Sequence, residues 1–261
     1  MTDQNKTALV TGASSGIGTE IARLLAADGY SLILAARRAE QLNALADELK
    51  SRFGVAATAS PTDLSKPGAA AKLWKEVTAY GRTIDVLINN AGIAASGALV
   101  DIDPSTISAM LNLNVVALTA LAQLALCDMR TRGRGRVLNV ASVAGYQPGG
   151  PGMAVYYATK NYVLSLTRAL SVELRGTGVT VTALCPGPTH TELETTAGVE
   201  SIRLFRWLPV MDARTVAEVG VRAMHRGRVV AIPGFFNKLL AIGGELPPRS
   251  LALSINRILL Q

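Results

Sequence analysis

The stretch "TGASSGIG" at residues 11–18 stands between the short apolar run 7–11 and a segment with helical periodicity. Its three glycines, Gly12, Gly16 and Gly18, allow a tight turn, close approach of a ligand to the backbone and close contact between helix and sheet. A helix that begins here offers unpaired backbone N–H groups to a phosphate. The stretch therefore predicts a strand–turn–helix unit that binds the phosphates of a dinucleotide.

Apolar runs and helical segments alternate along the rest of the chain. Seven strands are predicted, at residues 7–11, 31–36, 55–60, 85–90, 135–142, 178–185 and 227–233. Helices are predicted at 16–27, 39–53 and 66–80, with longer ones near 104–130 and 153–175. The strands are nearly continuous in apolar residues, which is typical of a parallel sheet covered by helices on both faces. We expect a single α/β domain over residues 1–261, doubly wound (Rossmann type), with a mostly parallel seven-stranded sheet.

The composition favours a compact globular protein, because 49% of the 261 residues are hydrophobic and 24 are glycines. The formal net charge is +7, but the basic residues are scattered, and only four Phe and two Trp are available to stack on bases. Nucleic-acid binding is therefore not expected. A basic surface that attracts an anionic cofactor explains the charge.

The cysteine and histidine residues give no sign of a disulfide scaffold or a metal site. Cys127 and Cys185 lie in apolar contexts, and His190 and His225 are far apart in the sequence. The first twelve residues contain no apolar signal region. Together these features favour a reducing cytoplasm as the location.

Two segments depart from the alternating pattern. Residues 187–211 form a long insertion that we expect to act as a substrate lid, with apolar side chains at Leu204, Phe205, Trp207 and Leu208. Residues 235–261 form an amphipathic, basic C-terminal extension. We favour a role in covering a sheet edge or contacting another subunit, and an interfacial membrane anchor is the alternative.

The end of the second predicted strand bears on the choice of cofactor. An acidic residue there would bind the adenosine ribose hydroxyls, whereas a cation would accept a 2′-phosphate. The chain has Arg37 and Arg38 at this point, and an arginine fork matches phosphate geometry. NADP(H) is therefore favoured over NAD(H). The alternative is that one or both arginines merely flank the next helix on the surface.

Several polar residues follow or interrupt apolar segments. Asn114 lies within an otherwise apolar helix, and Ser142 follows the fifth strand at the edge where doubly wound sheets bind ligands. In "YYATK" at residues 156–160, Tyr156 stands one helical turn before Lys160. This spacing is either chance or a means for the ammonium group to stabilise the ionised phenol.

These features together resemble the short-chain dehydrogenase/reductase family in its single-domain form. The resemblance rests on "TGASSGIG", "NNAG" at 89–92, Asn114, Ser142, "YYATK" and "PGPTHTE" at 186–192, which occur in the family's order and spacing. The last 60 residues match the family's general plan but carry no diagnostic motif.

The resemblance implies a role for each residue of the catalytic set. Tyr156 would be the general acid/base, and the family's spacing selects it over Tyr157. Lys160 would lower the pKa of the phenol and bind the nicotinamide ribose. Ser142 would donate a hydrogen bond to the substrate oxygen, and Asn114 would hold a water that links Lys160 to solvent.

The resemblance also implies contacts with the cofactor along the carboxyl edge of the sheet. Asp63 and Leu64 would contact the adenine, and Pro186 to Thr191 would hold the nicotinamide carboxamide and the phosphates. The full expected set is Gly12, Ser14, Ser15, Gly16, Ile17, Gly18, Arg37, Arg38, Asp63, Leu64, Asn90, Ala91, Gly92, Tyr156, Lys160, Pro186, Gly187, Thr189 and Thr191.

The implied activity is hydride transfer between a nicotinamide cofactor and a small-molecule carbonyl or alcohol, with a lipophilic substrate compatible with the apolar lid. A non-catalytic redox sensor that binds NADP(H) is the alternative. Relatives in this family usually form dimers or tetramers, so we expect a homodimer or homotetramer.

Overall fold

The computed structural model describes residues 6–192, 209–245 and 249–260. Seven strands form one sheet, in the order β3-β2-β1-β4-β5-β6-β7, and each adjacent pair in that order runs parallel. The strands are β1 Thr7–Thr11, β2 Ser31–Ala36, β3 Ala57–Pro61, β4 Val86–Asn89, β5 Gly135–Val140, β6 Val179–Leu184 and β7 Val230–Ala231. The doubly wound fold is confirmed, and this sheet is wholly rather than mostly parallel.

Helices cover both faces of the sheet. The described α-helices are α1 Gly16–Ala27, α2 Ala39–Phe53, α3 Ala69–Val77, α4 Pro104–Leu111, α5 Leu118–Arg132, α6 Ala154–Glu173, α7 Ala213–His225, α8 Phe235–Glu245 and α9 Arg249–Leu259. Apolar side chains of α1, α2 and α7 form the core on one face, and those of α3 and α5 form the core on the other. Helix α6 packs on the second face, against β5 and β6.

The strand order determines where a ligand can bind. The chain runs outward from β1 through β2 to β3, and then returns to β4, which pairs with β1 on its other side. Two successive connections therefore leave the carboxyl ends of β1 and β4 in opposite directions. Doubly wound sheets bind ligands in the crevice that opens at such a point. In this chain the crevice lies between the glycine-rich turn after β1 and the "NNAG" segment at the end of β4.

Some element boundaries differ from the sequence expectation. The strand expected at 227–233 pairs with β6 only at Val230–Ala231. A turn at Gly227 (φ +62°) precedes it, and Pro233, which has no backbone N–H to donate, follows it. The helix expected at 66–80 begins only at Ala69, because Gly68 before it has a left-handed φ of +77°.

Helices α4 and α5 form a nearly continuous helix that is interrupted by the π-helical turn Asn112–Ala117. By length and composition the whole run, Pro104–Arg132, could cross a membrane, and 44% of its most apolar window is buried inside the protein. Helix α5 packs against α3 and against strands β4 and β5. These contacts indicate a core helix.

The two C-terminal helices fold back over the loop that follows β5. Helix α8 packs on the 3-10 turn Val143–Tyr146, and α9 packs against α8. The buried Asn256 side chain of α9 donates a hydrogen bond from Nδ2 to the Gly149 carbonyl oxygen at 2.6 Å. The extension therefore covers the region near Ser142.

Only the two ends of the expected lid, residues 187–192 and 209–211, are described. They are joined by a bridge between Thr189 and Met211, in which His190 N–H donates to the Met211 carbonyl oxygen at 2.9 Å. The apolar residues named for the lid, Leu204, Phe205, Trp207 and Leu208, lie outside the described residues.

Candidate active site

A cleft of about 430 Å³ opens at the carboxyl edge of the sheet. It runs from the end of β2, across the glycine-rich turn, to the start of α6 and the C-terminal helices. Every residue proposed from the sequence for catalysis or cofactor binding borders this cleft, except Gly18 and Asn114. Gly18 and Asn114 do not border the cleft themselves, but each contacts residues that do.

The glycine-rich turn presents the start of α1 to the cleft. Gly12 and Gly16 have φ values of +65° and +56°, which a residue with a side chain adopts only with strain. The N-cap residue, Ser15, makes no side-chain capping bond, and the first turn of α1 contains no acidic residue. The first-turn N–H groups and the positive end of the helix dipole therefore fit an anionic group in the cleft.

Asn90 braces this turn from the end of β4. Its Nδ2 donates to the carbonyl oxygens of Thr11 and Gly12 at 3.0 and 3.1 Å. The backbone N–H groups of Asn90 and Ala91 both donate to Thr11 Oγ1. The "NNAG" segment therefore fixes the shape of the turn as well as bordering the cleft.

Gly18 lets α1 approach the turn closely, and its replacement gives a direct test of this packing. A Cβ at Gly18 would overlap the Gly12 carbonyl oxygen and lie 2.5 Å from Asn90 Nδ2. We expect Gly18→Ala to lower the free energy of unfolding in urea by about 2–3 kcal/mol, because backbone cannot move away easily. Gly243→Ala in α8 is the control, since among the described residues no atom outside the backbone of its own helix lies within 4 Å of a Cβ placed there. The control should be stabilising by about 0.5–1 kcal/mol, and equal effects of the two changes would contradict the packing.

At the end of the cleft beside β2, Arg38 spans two segments. Its guanidinium donates to Ser14 Oγ at 3.1 Å and to the Ser14 carbonyl oxygen at 3.3 Å. It also pairs with both carboxylate oxygens of Glu192, at 2.6 and 3.1 Å. Arg37 is exposed beside Asp63, whose pKa is lowered chiefly by a hydrogen bond from Ser65 and less by Arg37.

Glu192 was not expected at the site. It is the last residue of "PGPTHTE", and its pKa is lowered chiefly by the hydrogen bond from Arg38, with a smaller contribution from Ser15. Its position at the end of this motif was the one feature of the sequence that could have indicated a place at the site. Its partner, which follows β2 and lies 154 residues earlier, could not be read from the sequence.

The segment after β6 is fixed along the cleft by contacts with several elements. The Pro186 carbonyl oxygen accepts from Val143 N–H at 2.9 Å, and Thr189 Oγ1 donates to the Gly187 carbonyl oxygen at 2.9 Å. A Cβ at Gly16 would lie 2.9 Å from Thr191 Cγ2. The segment therefore passes close to the glycine-rich turn, where the sequence predicted that it would hold the cofactor.

Ser142 and Tyr156 meet at the inner end of the cleft. Ser142 follows β5 and caps the 3-10 turn by accepting a hydrogen bond from Ala144 N–H at 3.1 Å. Its own hydroxyl donates to the Pro186 carbonyl oxygen at 3.4 Å and borders the same part of the cleft as the Tyr156 phenol, which projects from the first turns of α6. Burial raises the pKa of this phenol, and the nearby Ser142 hydroxyl lowers it by a smaller amount.

Lys160 lies one turn after Tyr156 on α6 and is buried. Its ammonium nitrogen is 5.7 Å from the centre of the Tyr156 ring and donates to the Val140 carbonyl oxygen at 3.0 Å. Burial lowers the pKa of Lys160 to about 8. The expected lowering of the phenol's pKa by Lys160 stays a prediction, because burial and Ser142 are the influences found on Tyr156.

Tyr157 also borders the cleft, but its surroundings differ. Its ring packs with Ala144 and Met153, and a Cβ at Gly150 would lie 2.5 Å from that ring. Burial raises the pKa of its phenol, and Tyr156 adds a smaller contribution in the same direction. Tyr157 is therefore a packing residue in the wall of the cleft.

Asn114 lies in the π-helical turn behind the cleft. Its side chain accepts from Ile93 N–H at 3.0 Å and donates to the Ile93 carbonyl oxygen at 2.8 Å and to Thr159 Oγ1 at 3.2 Å. A Cβ at Gly92 would lie 3.3 Å from Asn114 Oδ1 and 3.6 Å from Lys160 Nζ. Asn114 thus holds the segment after β4 beside Lys160, and its expected water-holding role stays a prediction.

The end of the cleft beside Ser142 includes residues that the sequence did not predict for the site. Gln147 is buried, and its Nε2 donates to the Leu240 carbonyl oxygen of α8 at 2.7 Å. The apolar side chains of Met153, Leu240 and Leu259 border this end, together with Asn256. The C-terminal helices therefore contribute directly to the wall beside Ser142, although no motif marks them.

Comparison with known proteins agrees with this geometry. The family profile described as short chain dehydrogenase matches residues 6–200. A relative from Streptomyces virginiae, named as a candidate ketoacyl reductase of the monensin polyketide synthase, is 42% identical over 193 residues, which cover 72% of each chain.

Two solved structures are similar over nearly the whole chain. A short-chain dehydrogenase from Sphingobium yanoikuyae in complex with NADPH has a TM-score of 0.82 and 36% identity, and covers 92% of each chain. A bulky-bulky ketone specific alcohol dehydrogenase from Comamonas testosteroni has a TM-score of 0.76 and 30% identity, over 93% of this chain and 95% of that one. With these matches, the fold and the cleft establish that the chain belongs to the short-chain dehydrogenase/reductase family, as an oxidoreductase that acts on CH–OH and C=O groups.

Proposed function

We propose that this oxidoreductase reduces an apolar ketone or aldehyde with NADPH and uses Tyr156 as the proton donor. The observation that carries the proposal is the meeting of Ser142, Tyr156 and Lys160 in the same cleft as the uncapped start of α1. A binding-only redox sensor would have no need for this hydroxyl pair beside a buried ammonium group. Family membership and the complete polar cluster together favour the enzyme over the sensor.

The nicotinamide group, when bound, supplies the hydride that goes to the carbonyl carbon. The chain's own residues bind and protonate the carbonyl oxygen of the substrate. Ser142 and Tyr156 are positioned to donate hydrogen bonds to it, which stabilises the negative charge that grows there. Tyr156 then gives its proton to the oxygen, and the Lys160 ammonium stabilises the phenolate that remains.

The cofactor preference rests on the adenosine end of the cleft. A guanidinium presents several N–H donors in a planar fork that suits a phosphate, and Arg38, just after β2, already contacts the glycine-rich turn. Arg37 borders the same part of the cleft and is exposed. The NADPH complex of the Sphingobium yanoikuyae relative supports this preference.

Replacement of both arginines tests the preference. We expect Arg37→Ala/Arg38→Ala to raise the Kd for NADPH by about 10- to 100-fold, because the net loss of one charge-assisted hydrogen bond to a phosphate costs about 1.5–3 kcal/mol. The Kd for NADH should change by less than about threefold, since it has no 2′-phosphate. Isothermal titration calorimetry measures both constants. Arg130→Ala, an exposed cation on α5 away from the cleft, is the control, and equal effects on both cofactors would reverse the assignment.

A substrate with apolar bulk beside the carbonyl fits the far end of the cleft. Met153, Tyr157 and the two C-terminal helices supply mostly apolar side chains there. The names of the Streptomyces virginiae and Comamonas testosteroni relatives, which refer to ketoacyl and bulky ketone substrates, support this size class.

Loosening α9 should affect large substrates most. Asn256→Ala removes the buried hydrogen bond to Gly149, so α9 and its Leu259 side chain would lose their fixed position. We expect the KM for a bulky aryl ketone to rise about 10-fold, while the KM for a three- or four-carbon ketone changes little. Ser254→Ala, on the exposed side of the same helix, is the control. Equal effects on both ketones would show that α9 does not select the substrate.

The cytoplasmic location and the homodimer or homotetramer remain predictions from the sequence. Light scattering coupled to gel filtration measures the assembly directly. A monomer at micromolar concentration would contradict the expected state.

A further inference from the structure

Residues 189–192, which we call the strap, cross the phosphate end of the cleft and end in an ion pair. Thr191 packs over Gly16 of the glycine-rich turn, and Glu192 pairs through both carboxylate oxygens with Arg38. The Ser15 side chain lies close enough to Glu192 to lower the pKa of this carboxyl slightly. One carboxylate thus links the strap to Arg38, which itself contacts the glycine-rich turn.

The same guanidinium is the group best placed to receive a 2′-phosphate. Carboxylate and phosphate use the same planar fork of N–H donors, so both cannot take it fully at once. A phosphate at Arg38 would also bring its negative charge close to the Glu192 carboxylate, and like charges at such range repel. Two anions would therefore compete for one cation.

We propose that Glu192 competes with the 2′-phosphate for Arg38 and thereby weakens the preference of this chain for NADPH over NADH. This inference rests on the proposed use of Arg38 in NADP(H) binding. Its structural consequence is that NADPH releases the strap from Arg38, whereas NADH leaves the ion pair in place.

The properties of the ion pair suit an exchange of partners. The side chains of Arg38 and Glu192 are 39% and 58% exposed, and ion pairs at such exposure contribute little to stability. A phosphate dianion is a stronger partner for arginine than one carboxylate. The hydrogen bond from Arg38 holds the pKa of Glu192 below its usual range, so the competing charge is present at neutral pH.

The test measures binding of cofactor fragments, independently of turnover. Adenosine 2′,5′-bisphosphate and 5′-AMP differ only in the 2′-phosphate, and calorimetry gives a Kd for each. We expect Glu192→Gln to bind the bisphosphate about 3- to 10-fold more tightly, because the like charge is removed, and to bind 5′-AMP with unchanged affinity. The gain should shrink at high salt. Glu218→Gln, which breaks a similarly exposed pair with Arg214 away from the cleft, should change neither affinity.

A double-mutant cycle with Arg38→Ala shows whether the effect passes through Arg38. The gain from Glu192→Gln should vanish in the Arg38→Ala background, and a gain that persists there would overturn the proposal. Unchanged or weaker binding of the bisphosphate by Glu192→Gln would overturn it as well.

Failure of the proposed cofactor preference gives a different result. In that case the wild type binds the bisphosphate and 5′-AMP equally, and Arg38→Ala changes neither. The proposed competition between Glu192 and the 2′-phosphate would then survive only if Glu192→Gln bound the bisphosphate more tightly than 5′-AMP. If Glu192→Gln also binds the two fragments equally, both the competition and the proposed preference for NADPH are rejected.

Discussion

Replacing Tyr156 by Phe is expected to reduce turnover of any ketone substrate by about 10³-fold while NADPH binding changes little. The phenol is the proposed proton donor, and it borders the cleft together with Ser142. Phe keeps the ring and its packing, so only the transferable proton is lost. Steady-state kinetics and calorimetry with NADPH measure the two effects.

Tyr157 provides the matched control for this change. It is the next residue on α6 and borders the same cleft, but its ring is packed against Gly150 and Met153. Tyr157→Phe should retain activity within about tenfold, because its phenol takes no part in proton transfer. If Tyr157→Phe were the inactive variant and Tyr156→Phe the active one, the assignment of the proton donor would be wrong.

Lys160→Met is expected to lower kcat by about 10²- to 10³-fold, the second largest effect. Met fills a similar volume but removes the ammonium group that would stabilise the phenolate on Tyr156. The loss should be greatest below the pKa of Lys160, where the wild type carries the charge. Activity within about threefold of the wild type would show that the ammonium group is not needed.

The same variant has a stability signature. Burial lowers the pKa of Lys160 from 10.5 to about 8, so between these pH values the unfolded chain binds more protons than the folded one. Stability contributed through this group therefore rises as the pH rises through that window. Between pH 7 and pH 10 the unfolding free energy of the wild type should gain about 2 kcal/mol relative to Lys160→Met. If urea unfolding gave the same pH dependence of the unfolding free energy for the two proteins, the lowered pKa of Lys160 would be contradicted.

Much of the site could be predicted because its signals are local in sequence. The glycine-rich turn, Ser142 after β5, and the Tyr156–Lys160 spacing each lie within one short segment. The parallel sheet brings the carboxyl ends of its strands to one edge, so residues that follow strands meet there. The fold class followed from the alternation of apolar runs and helical segments.

The parts that were missed depend on contacts between distant segments. Arg38 and Glu192 are 154 residues apart, and Asn256 and Gly149 are 107 apart. Their neighbouring residues carry no pattern that specifies such partners. The bonds of Asn114 to Ile93, which borders the cleft, were not predicted either, because they depend on how the π-helical turn packs against the end of β4.

The proposed hydride and proton transfers are tested most directly by following the transferred hydrogen in a single turnover. The enzyme is mixed with a bulky ketone and NADPH carrying deuterium at both C4 positions, and the alcohol is analysed by mass spectrometry. We expect one deuterium on the carbinol carbon with wild-type enzyme, and no alcohol on the same timescale with Tyr156→Phe despite bound NADPH. An alcohol without deuterium, or an unchanged rate in Tyr156→Phe, would contradict the mechanism.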